Sequence, residues 1–95
     1  MIRVLIVDDQ TLVRQGVRSL LALAEGIEVV GEAGDGRQAV ELIPQIQPDV
    51  VLMDMRMPVM SGLEALQHMA RNNTLPPTII LTTFDDDQLV LAGLK

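Results

Sequence analysis

The sequence contains no cysteine, tryptophan or tyrosine, and it has a single phenylalanine and a single histidine. Without cysteine the chain can form neither a disulfide nor a thiolate zinc site, and it has no thiol nucleophile. Basic residues are also few, because seven Lys and Arg stand against thirteen Asp and Glu and leave a net charge of −6. A direct nucleic-acid surface is therefore disfavoured, since phosphate contacts require Lys and Arg and base stacking requires aromatic rings.

Long hydrophobic runs are absent as well. The N-terminal apolar stretch reaches Asp8 too soon to be a signal peptide, and no run has the length needed to span a bilayer. Apolar residues nevertheless make up 48% of the 95 residues, which is enough for the core of one small domain. We therefore expect a single soluble domain in the cytoplasm, a location that the lack of cysteine also fits.

The apolar residues are grouped in short blocks that alternate with helical patterns. The blocks predict four strands, at Ile2–Val7, Ile27–Ala33, Val50–Asp54 and residues 78–84. Helices are predicted at residues 11–24, from a cap at Asp35 to a kink or stop near Pro44, after Ser61 with capping-box spacing to Glu64, and at residues 85–95. In the first helix the predicted inward stripe is Val13, Val17, Leu20, Leu21 and Ala24, with Arg14 and Arg18 facing away.

Short connections between these alternating elements indicate an α/β fold. Right-handed crossovers would place the strands in a parallel sheet with helices on both faces. The chain stops at the fourth predicted helix, so we expect one further βα unit to be missing. The fourth strand would then be an apolar edge, which is a site for pairing with another chain.

Acidic residues lie at the ends of two predicted strands. Asp8 and Asp9 follow the first strand, Asp54 ends the third, and Thr82 lies at the same end of the fourth. Sites in open α/β sheets form beyond the carboxyl ends of the strands, so these side chains are expected at one rim. Two carboxylates about 4 Å apart repel by ~1 kcal/mol in water and ~4 kcal/mol at an effective dielectric of roughly 20. Three together favour a hard divalent cation such as Mg²⁺.

Other motifs point away from further chemistry. The glycines Gly31, Gly34 and Gly36 follow the order G-x-x-G-x-G, not the nucleotide-binding order G-x-G-x-x-G, and no P-loop lysine follows them. They are interpreted as turn glycines. His68 lies within a predicted helix, away from the acidic rim, so zinc binding is disfavoured. A single histidine also leaves no credible Ser/His/Asp arrangement.

The rim residues and their neighbours carry a resemblance. The motifs resemble the receiver domain of bacterial two-component response regulators: Asp8-Asp9 after the first strand, Asp54 after the third with Met57-Pro58 and Gly62 behind it, and Thr82 at the end of the fourth. The stretches 29–33, Val-Val-Gly-Glu-Ala, and 81–85, Leu-Thr-Thr-Phe-Asp, resemble the NarL/LuxR-type subfamily. The resemblance covers essentially the whole chain and includes several motifs at matching spacing.

That resemblance implies a flavodoxin-like fold with a parallel sheet of order 2-1-3-4 and a missing fifth βα unit. Residues 1–95 would form a C-terminally truncated receiver domain. Asp54 would be the phosphoacceptor, and it would bind Mg²⁺ together with Asp9 and the backbone carbonyl of Arg56. Asp8 would act on the metal through water, and Thr82 would be the switch that senses the phosphoryl group.

The implied partner is a sensor histidine kinase, and DNA would be reached only through a C-terminal helix-turn-helix domain outside this chain. The chain would not be an enzyme beyond self-catalysed phosphotransfer and autodephosphorylation. One departure concerns the lysine that receivers carry after the fifth strand, because Lys95 belongs by pattern to the fourth helix. The chain is therefore expected to bind metal but to be phosphorylated poorly or to fail to switch.

Three alternatives remain open. A phosphatase with a strand-terminal Asp requires a second Asp two residues later, where Arg56 stands. A flavin mononucleotide carrier requires a Ser/Thr-rich loop after the first strand, where Asp8-Asp9-Gln10 would repel the phosphate. The third alternative is an atypical, phosphorylation-independent receiver that acts only by dimerising, which the intact set of acids disfavours for the longer protein. A truncated chain could still pair through its open sheet edge.

Overall fold

The described part of the chain contains seven elements in the alternating order that the sequence predicts. The structure is a computed structural model that describes residues 1–54 and 59–81, without the side chain of Leu81. Its strands are β1 (Ile2–Val7), β2 (Ile27–Ala33), β3 (Val50–Asp54) and β4 (Thr78–Leu81). Its helices are α1 (Thr11–Ala22), α2 (Gly36–Ile46) and α3 (Gly62–Arg71). Residues 82–84 of the predicted fourth strand and the predicted helix 85–95 lie outside the described residues.

The strands form one parallel sheet in the order β2-β1-β3-β4. This confirms the predicted α/β fold class and the 2-1-3-4 strand order. β1 is buried along most of its length, since residues 4–7 are at most 3% exposed. An apolar run without alternation is typical of such a strand, which is covered on both faces. Among the described residues, no helix combines the length and the apolar content that crossing a membrane requires.

The main hydrophobic core lies between the sheet and helices α2 and α3. Its buried side chains come from alternate strand positions and one face of each helix: Leu5, Val7, Ala33, Ala39, Ile43, Val51, Met53, Ala65 and Met69. α2 begins at its predicted cap, where the Asp35 carboxylate accepts the Gln38 N–H at 2.8 Å, and it ends two residues after Pro44. α3 begins with the predicted capping box, in which the Ser61 hydroxyl accepts the Glu64 N–H at 3.2 Å.

Helix α1 packs on β2 and β1. It ends two residues earlier than predicted, and none of its residues is fully buried. Val17 and Leu21 are half-buried as predicted, but Val13 and Leu20 are 37% and 68% exposed. The prediction that Arg14 faces away is wrong, because its side chain is 17% exposed and reaches the carboxyl ends of β1 and β2. A long side chain can bury its aliphatic stem along the sheet and bring its charged head to the rim.

Strand β2 contains one more residue than the stretch of β1 that it pairs with. Val4 pairs with Val29, but Leu5 pairs with Gly31, so the register skips Val30. Such a β-bulge locally bends and twists its strand. A Cβ at position 31 would lie 2.9 Å from Ile46 Cδ1 and 3.1 Å from Leu5 Cδ1, so a larger residue there would require the ends of these two side chains to shift.

Candidate metal centre

The carboxyl ends of β1 and β3 lie side by side, because these two strands are hydrogen-bonded neighbours. Val7 pairs with Met53, so Asp8 and Asp54, the residues that follow them, emerge at the same edge of the sheet. Both strand ends are anchored in the core, since Val7 and Met53 are each 0% exposed. The apolar runs that define the strands therefore also fix where the acids lie.

The carboxylates of Asp8, Asp9 and Asp54 converge at this edge. One carboxylate oxygen of each residue lies within 4.8 Å of the other two. Asp8 is buried, Asp54 is half-buried and Asp9 is exposed, so the cluster opens to solvent on the Asp9 side. The structure thus brings together the three acids that the sequence places at one rim.

Asp8 is held by three hydrogen bonds. Its Oδ1 accepts the Gln10 N–H at 2.8 Å, and its own N–H donates to the Ala33 carbonyl at 3.1 Å. Its carbonyl oxygen accepts a hydrogen bond from Arg14 Nη1 at 2.5 Å. Because Asp8 is only 5% exposed, these partners offset the cost of burying its polar groups.

The acidic cluster concentrates negative charge in a small volume. At the upper limit of 4.8 Å between their oxygens, two carboxylate charges repel by about 3.5 kcal/mol at an effective dielectric of roughly 20. A hard divalent cation removes this repulsion, and Mg²⁺ takes its ligands from carboxylates, carbonyls and waters. No histidine joins the three acids in the described residues, and His68 lies in the last turn of α3. The donor set therefore fits Mg²⁺ better than zinc.

Two predicted members of the site, Arg56 and Thr82, lie outside the described residues. The same is true of Met57-Pro58 and of Lys95. The roles of Arg56 and Thr82 therefore stay predictions. The described backbone does pair Asp54 with Leu81 in the register of β3 and β4, and Thr82 is the next residue in the chain.

Sequence reasoning missed an ion-pair cluster beside Asp8. Arg14 Nε lies 3.1 Å from Glu32 Oε1, and Arg18 Nη1 lies 2.5 Å from Glu32 Oε2. Arg14 Nη2 also donates to Thr11 Oγ1 at 3.2 Å. The signal that could have found this cluster is positional. Arg14 lies in the first turns of the helix that follows the acids, and Glu32 lies near the carboxyl end of the strand beside β1.

The described end of the connection between β3 and α3, residues 59–61, lies against the start of α2. Gly36 N–H donates to the Met60 carbonyl at 2.9 Å, and a Cβ on Gly36 would overlap that oxygen and lie 2.9 Å from the Ser61 carbonyl. Val59 has a φ of 68°, a left-handed conformation that β-branched residues rarely adopt. Backbone strain of this kind occurs preferentially near functional sites. The backbone contact between Gly36 and Met60 therefore fixes the course of residues 59–61.

The chain is similar to known proteins over nearly all of its length. Residues 4–95 match the family described as the response regulator receiver domain. The chain is 42% identical over 93 residues to the transcriptional regulatory protein YdfI of Bacillus subtilis, an alignment that covers 98% of this chain and 43% of that protein. It is 47% identical over 90 residues to the nitrate/nitrite response regulator protein NarP of Escherichia coli, with 95% and 42% covered. The chain thus spans less than half the length of these curated relatives.

A solved structure shares the fold. The DNA-binding response regulator of the LuxR family from Staphylococcus aureus superposes with a TM-score of 0.88 at 30% identity, covering 99% of this chain and 78% of that one. The matched family, the relatives and this solved structure are all response regulators or their receiver domains. They confirm the resemblance that the sequence motifs indicate, including its NarL/LuxR-type character.

Proposed function

The chain belongs to the response regulator receiver domain family, and from this membership we propose that Asp54 is the residue that accepts the phosphoryl group. The donor in this proposal is a phosphohistidine of a sensor histidine kinase or a small phosphodonor. The observation that supports the assignment most directly is the convergence of Asp8, Asp9 and Asp54, whose carboxylate oxygens lie within 4.8 Å of one another. Asp54 is the member of this cluster that ends a strand of the buried sheet.

In the proposed reaction, Asp54 supplies the nucleophile. One of its carboxylate oxygens attacks phosphorus in line with the bond to the histidine nitrogen. The P–N bond breaks as the new P–O bond forms, and the leaving imidazole takes up a proton. Phosphoryl transfer of this kind depends on positioning and charge screening more than on acid–base groups. A half-buried carboxylate on a rigid strand end meets the positioning requirement.

The acids around Asp54 support a proposed Mg²⁺ site. Asp9 and Asp54 would bind the ion directly, together with the backbone carbonyl of Arg56. Asp8 would act through water, which fits a buried carboxylate with one oxygen already bonded to the Gln10 N–H. Bound Mg²⁺ would supply charge screening for the transferring phosphoryl oxygens. Phosphorylation is therefore expected to require the metal, since an aspartyl phosphate adds charge beside two existing carboxylates.

The proposal extends from the site to the whole protein. Thr82 would hydrogen-bond the phosphoryl group and report it, a role that fits the pairing of Leu81 with Asp54. Curated relatives are named as transcriptional regulators, so we propose control of transcription through a C-terminal helix-turn-helix DNA-binding domain in the longer protein. Catalysis would be limited to self-catalysed phosphotransfer and autodephosphorylation. The proposal includes a cytoplasmic location, which the lack of cysteine fits.

Asp54→Asn tests the phosphoacceptor assignment. Incubation with acetyl phosphate and Mg²⁺ is expected to add one phosphoryl group to a fraction of the wild-type chain and to none of the variant, because an amide oxygen is a poor nucleophile. Intact-mass spectrometry measures the modification. Asp49→Asn is the matched control, because Asp49 is an exposed acid that immediately precedes β3, at the end opposite Asp54. This variant should leave the modification unchanged. Phosphate on Asp54→Asn would overturn the assignment.

A further inference from the structure

One guanidinium joins three segments of the chain beside the acidic cluster. Arg14 Nη1 donates to the Asp8 carbonyl at 2.5 Å, Nε to Glu32 Oε1 at 3.1 Å and Nη2 to Thr11 Oγ1 at 3.2 Å. The side chains of Arg14 and Glu32 are only 17% and 27% exposed. We propose that Arg14, held by Glu32, is a positioning residue for the metal site, because it fixes the peptide unit between Asp8 and Asp9. This inference rests on the proposed magnesium-binding function.

The hydrogen bond from Arg14 to the Asp8 carbonyl also affects the next residue, Asp9. That carbonyl belongs to the peptide unit that links Asp8 to Asp9, and a peptide unit is planar, so holding its oxygen fixes the whole plane. On the other side of Asp8, the N–H donates to the Ala33 carbonyl at 3.1 Å. The backbone leading to Asp9 therefore has a defined direction at the carboxyl end of β1.

Asp9 depends on this backbone support more than the other two acids do. Asp8 is buried and has its own side-chain hydrogen bond to Gln10, whereas Asp9 is exposed. An exposed side chain gains little orientation from packing, so its carboxylate position follows from the plane of the preceding peptide. Loss of the Arg14 contact is therefore expected to move Asp9 away from the geometry that Mg²⁺, which demands near-ideal octahedral coordination, requires.

The ion pair with Glu32 makes the positive charge of Arg14 compatible with a nearby cation site. A guanidinium beside three carboxylates would compete electrostatically with Mg²⁺ if it were unpaired. Glu32 places one oxygen on Arg14 and the other on Arg18, whose side chain is 54% exposed to screening solvent, so the charge of Arg14 is offset in part. Arginine suits the position because its planar fork serves several acceptors at once, while a lysine ammonium is a point charge on a flexible stem.

Arg18 provides a matched control. It pairs with the same Glu32 from the next turn of α1, but its side chain is 54% exposed, and its hydrogen bond is to Glu32 and not to Asp8. Arg14→Ala and Arg18→Ala therefore each remove one ion pair to Glu32, and only Arg14→Ala removes the hydrogen bond to the Asp8 carbonyl. Isothermal titration of Mg²⁺ into each 95-residue chain measures affinity without any phosphotransfer step.

Arg14→Ala is expected to weaken Mg²⁺ binding by about tenfold or more, the range found when a residue that orients a metal ligand is removed. Arg18→Ala should change the affinity by roughly twofold or less, because exposed ion pairs contribute little. Arg14→Lys is expected to give an intermediate affinity, since lysine can reach the Asp8 carbonyl or Glu32 but not both. Thermal melts without Mg²⁺ report the structural cost of each change separately.

Equal Mg²⁺ affinities for wild type and Arg14→Ala would overturn the positioning role and leave the proposed function intact. If Arg14→Ala does not melt cooperatively, Arg14→Lys and Glu32→Gln decide, and wild-type affinity in both overturns the role. Failure of the wild-type chain to bind Mg²⁺ would remove the metal site itself and the inference with it. The phosphorylation of Asp54 is scored independently by mass.

Discussion

Asp8 and Asp9 are adjacent in the sequence but have opposite surroundings. Asp8 is 5% exposed and its Oδ1 accepts the Gln10 N–H, so its removal leaves that N–H without its partner. Asp9 is exposed and shares the cluster with two other carboxylates. Asp8 therefore contributes both to the fold and to the acidic cluster, while Asp9 contributes mainly to the cluster.

Asp9→Ala is expected to remove the Mg²⁺ response of the protein. Wild type should gain thermal stability in millimolar Mg²⁺, because the ion binds only the folded cluster. Asp9→Ala should show no such gain, and its metal-free midpoint should rise by a few degrees, because one repelling charge is gone. Differential scanning fluorimetry with and without Mg²⁺ measures both effects. A wild-type midpoint that is indifferent to Mg²⁺ would contradict the prediction.

The convergence of the three acids was predictable from the sequence, and the contact of Arg14 with the Asp8 carbonyl was not. A strand that ends in an acid places that acid at a known edge of a parallel sheet, whatever the details of packing. The direction of a helical side chain follows from periodicity, but its reach does not. Arg14 starts on the predicted outer side of α1 and still ends at the Asp8 carbonyl, because its stem is long enough to cross the rim.

At the scale of elements, the start of α2 and the start of α3 hold each other. Gly36 N–H donates to the Met60 carbonyl, and the next residue, Ser61, caps α3. The capping box was predictable because Ser61 and Glu64 have the required spacing. The contact with Gly36 was not, because it joins residues far apart in sequence through backbone atoms alone.

Gly36→Ala is expected to destabilise the fold by about 1–3 kcal/mol, because the new Cβ would overlap the Met60 carbonyl and force backbone shifts. Gly16→Ala is the matched control, since nothing lies within 4 Å of a Cβ at that position in α1. It should stabilise the fold by roughly 0.5–1 kcal/mol through helix propensity. Urea titrations followed by circular dichroism measure both changes. Equal stability of wild type and Gly36→Ala would show that the α2–α3 contact is dispensable.

At the scale of the whole molecule, apolar surface is distributed unevenly over the two faces of the sheet. α2 and α3 cover one face, whereas α1 packs on β2 and β1 of the other. On β4, Ile79 pairs with Leu52 and is 55% exposed. The parallel sheet could be predicted from the alternation of elements, and its strand order from the family resemblance. The uneven cover could not be predicted, because it depends on where α1 packs across the sheet.

We predict that the chain self-associates through this surface as its concentration rises. Ile79 lies on β4, the outermost strand of the described sheet, and an exposed apolar side chain there favours burial against a second copy of the chain. Ile79→Lys should reduce the association, while Leu23→Lys, at an 84% exposed position after α1, should leave it unchanged. Sedimentation velocity over a range of concentrations measures the distribution of species. A wild-type chain that sediments as a monomer throughout would contradict the prediction.

The bulge in β2 determines which side of the sheet receives Glu32. If the pairing ran without it, Leu5 would face Val30, and Glu32 would fall opposite Val7, whose side chain lies in the core beneath α2 and α3. Because β2 contains this extra residue, the side chains that follow it point to the opposite face of the sheet from the one they would otherwise take. The Glu32 carboxylate therefore points toward Arg14. Deletion of residue 30 would remove the bulge and keep Glu32 opposite Ile6, on the side of Arg14. A slip to the bulge-free register with residue 30 retained would instead bury an acid in the core and deprive Arg14 of its counter-ion in a single step.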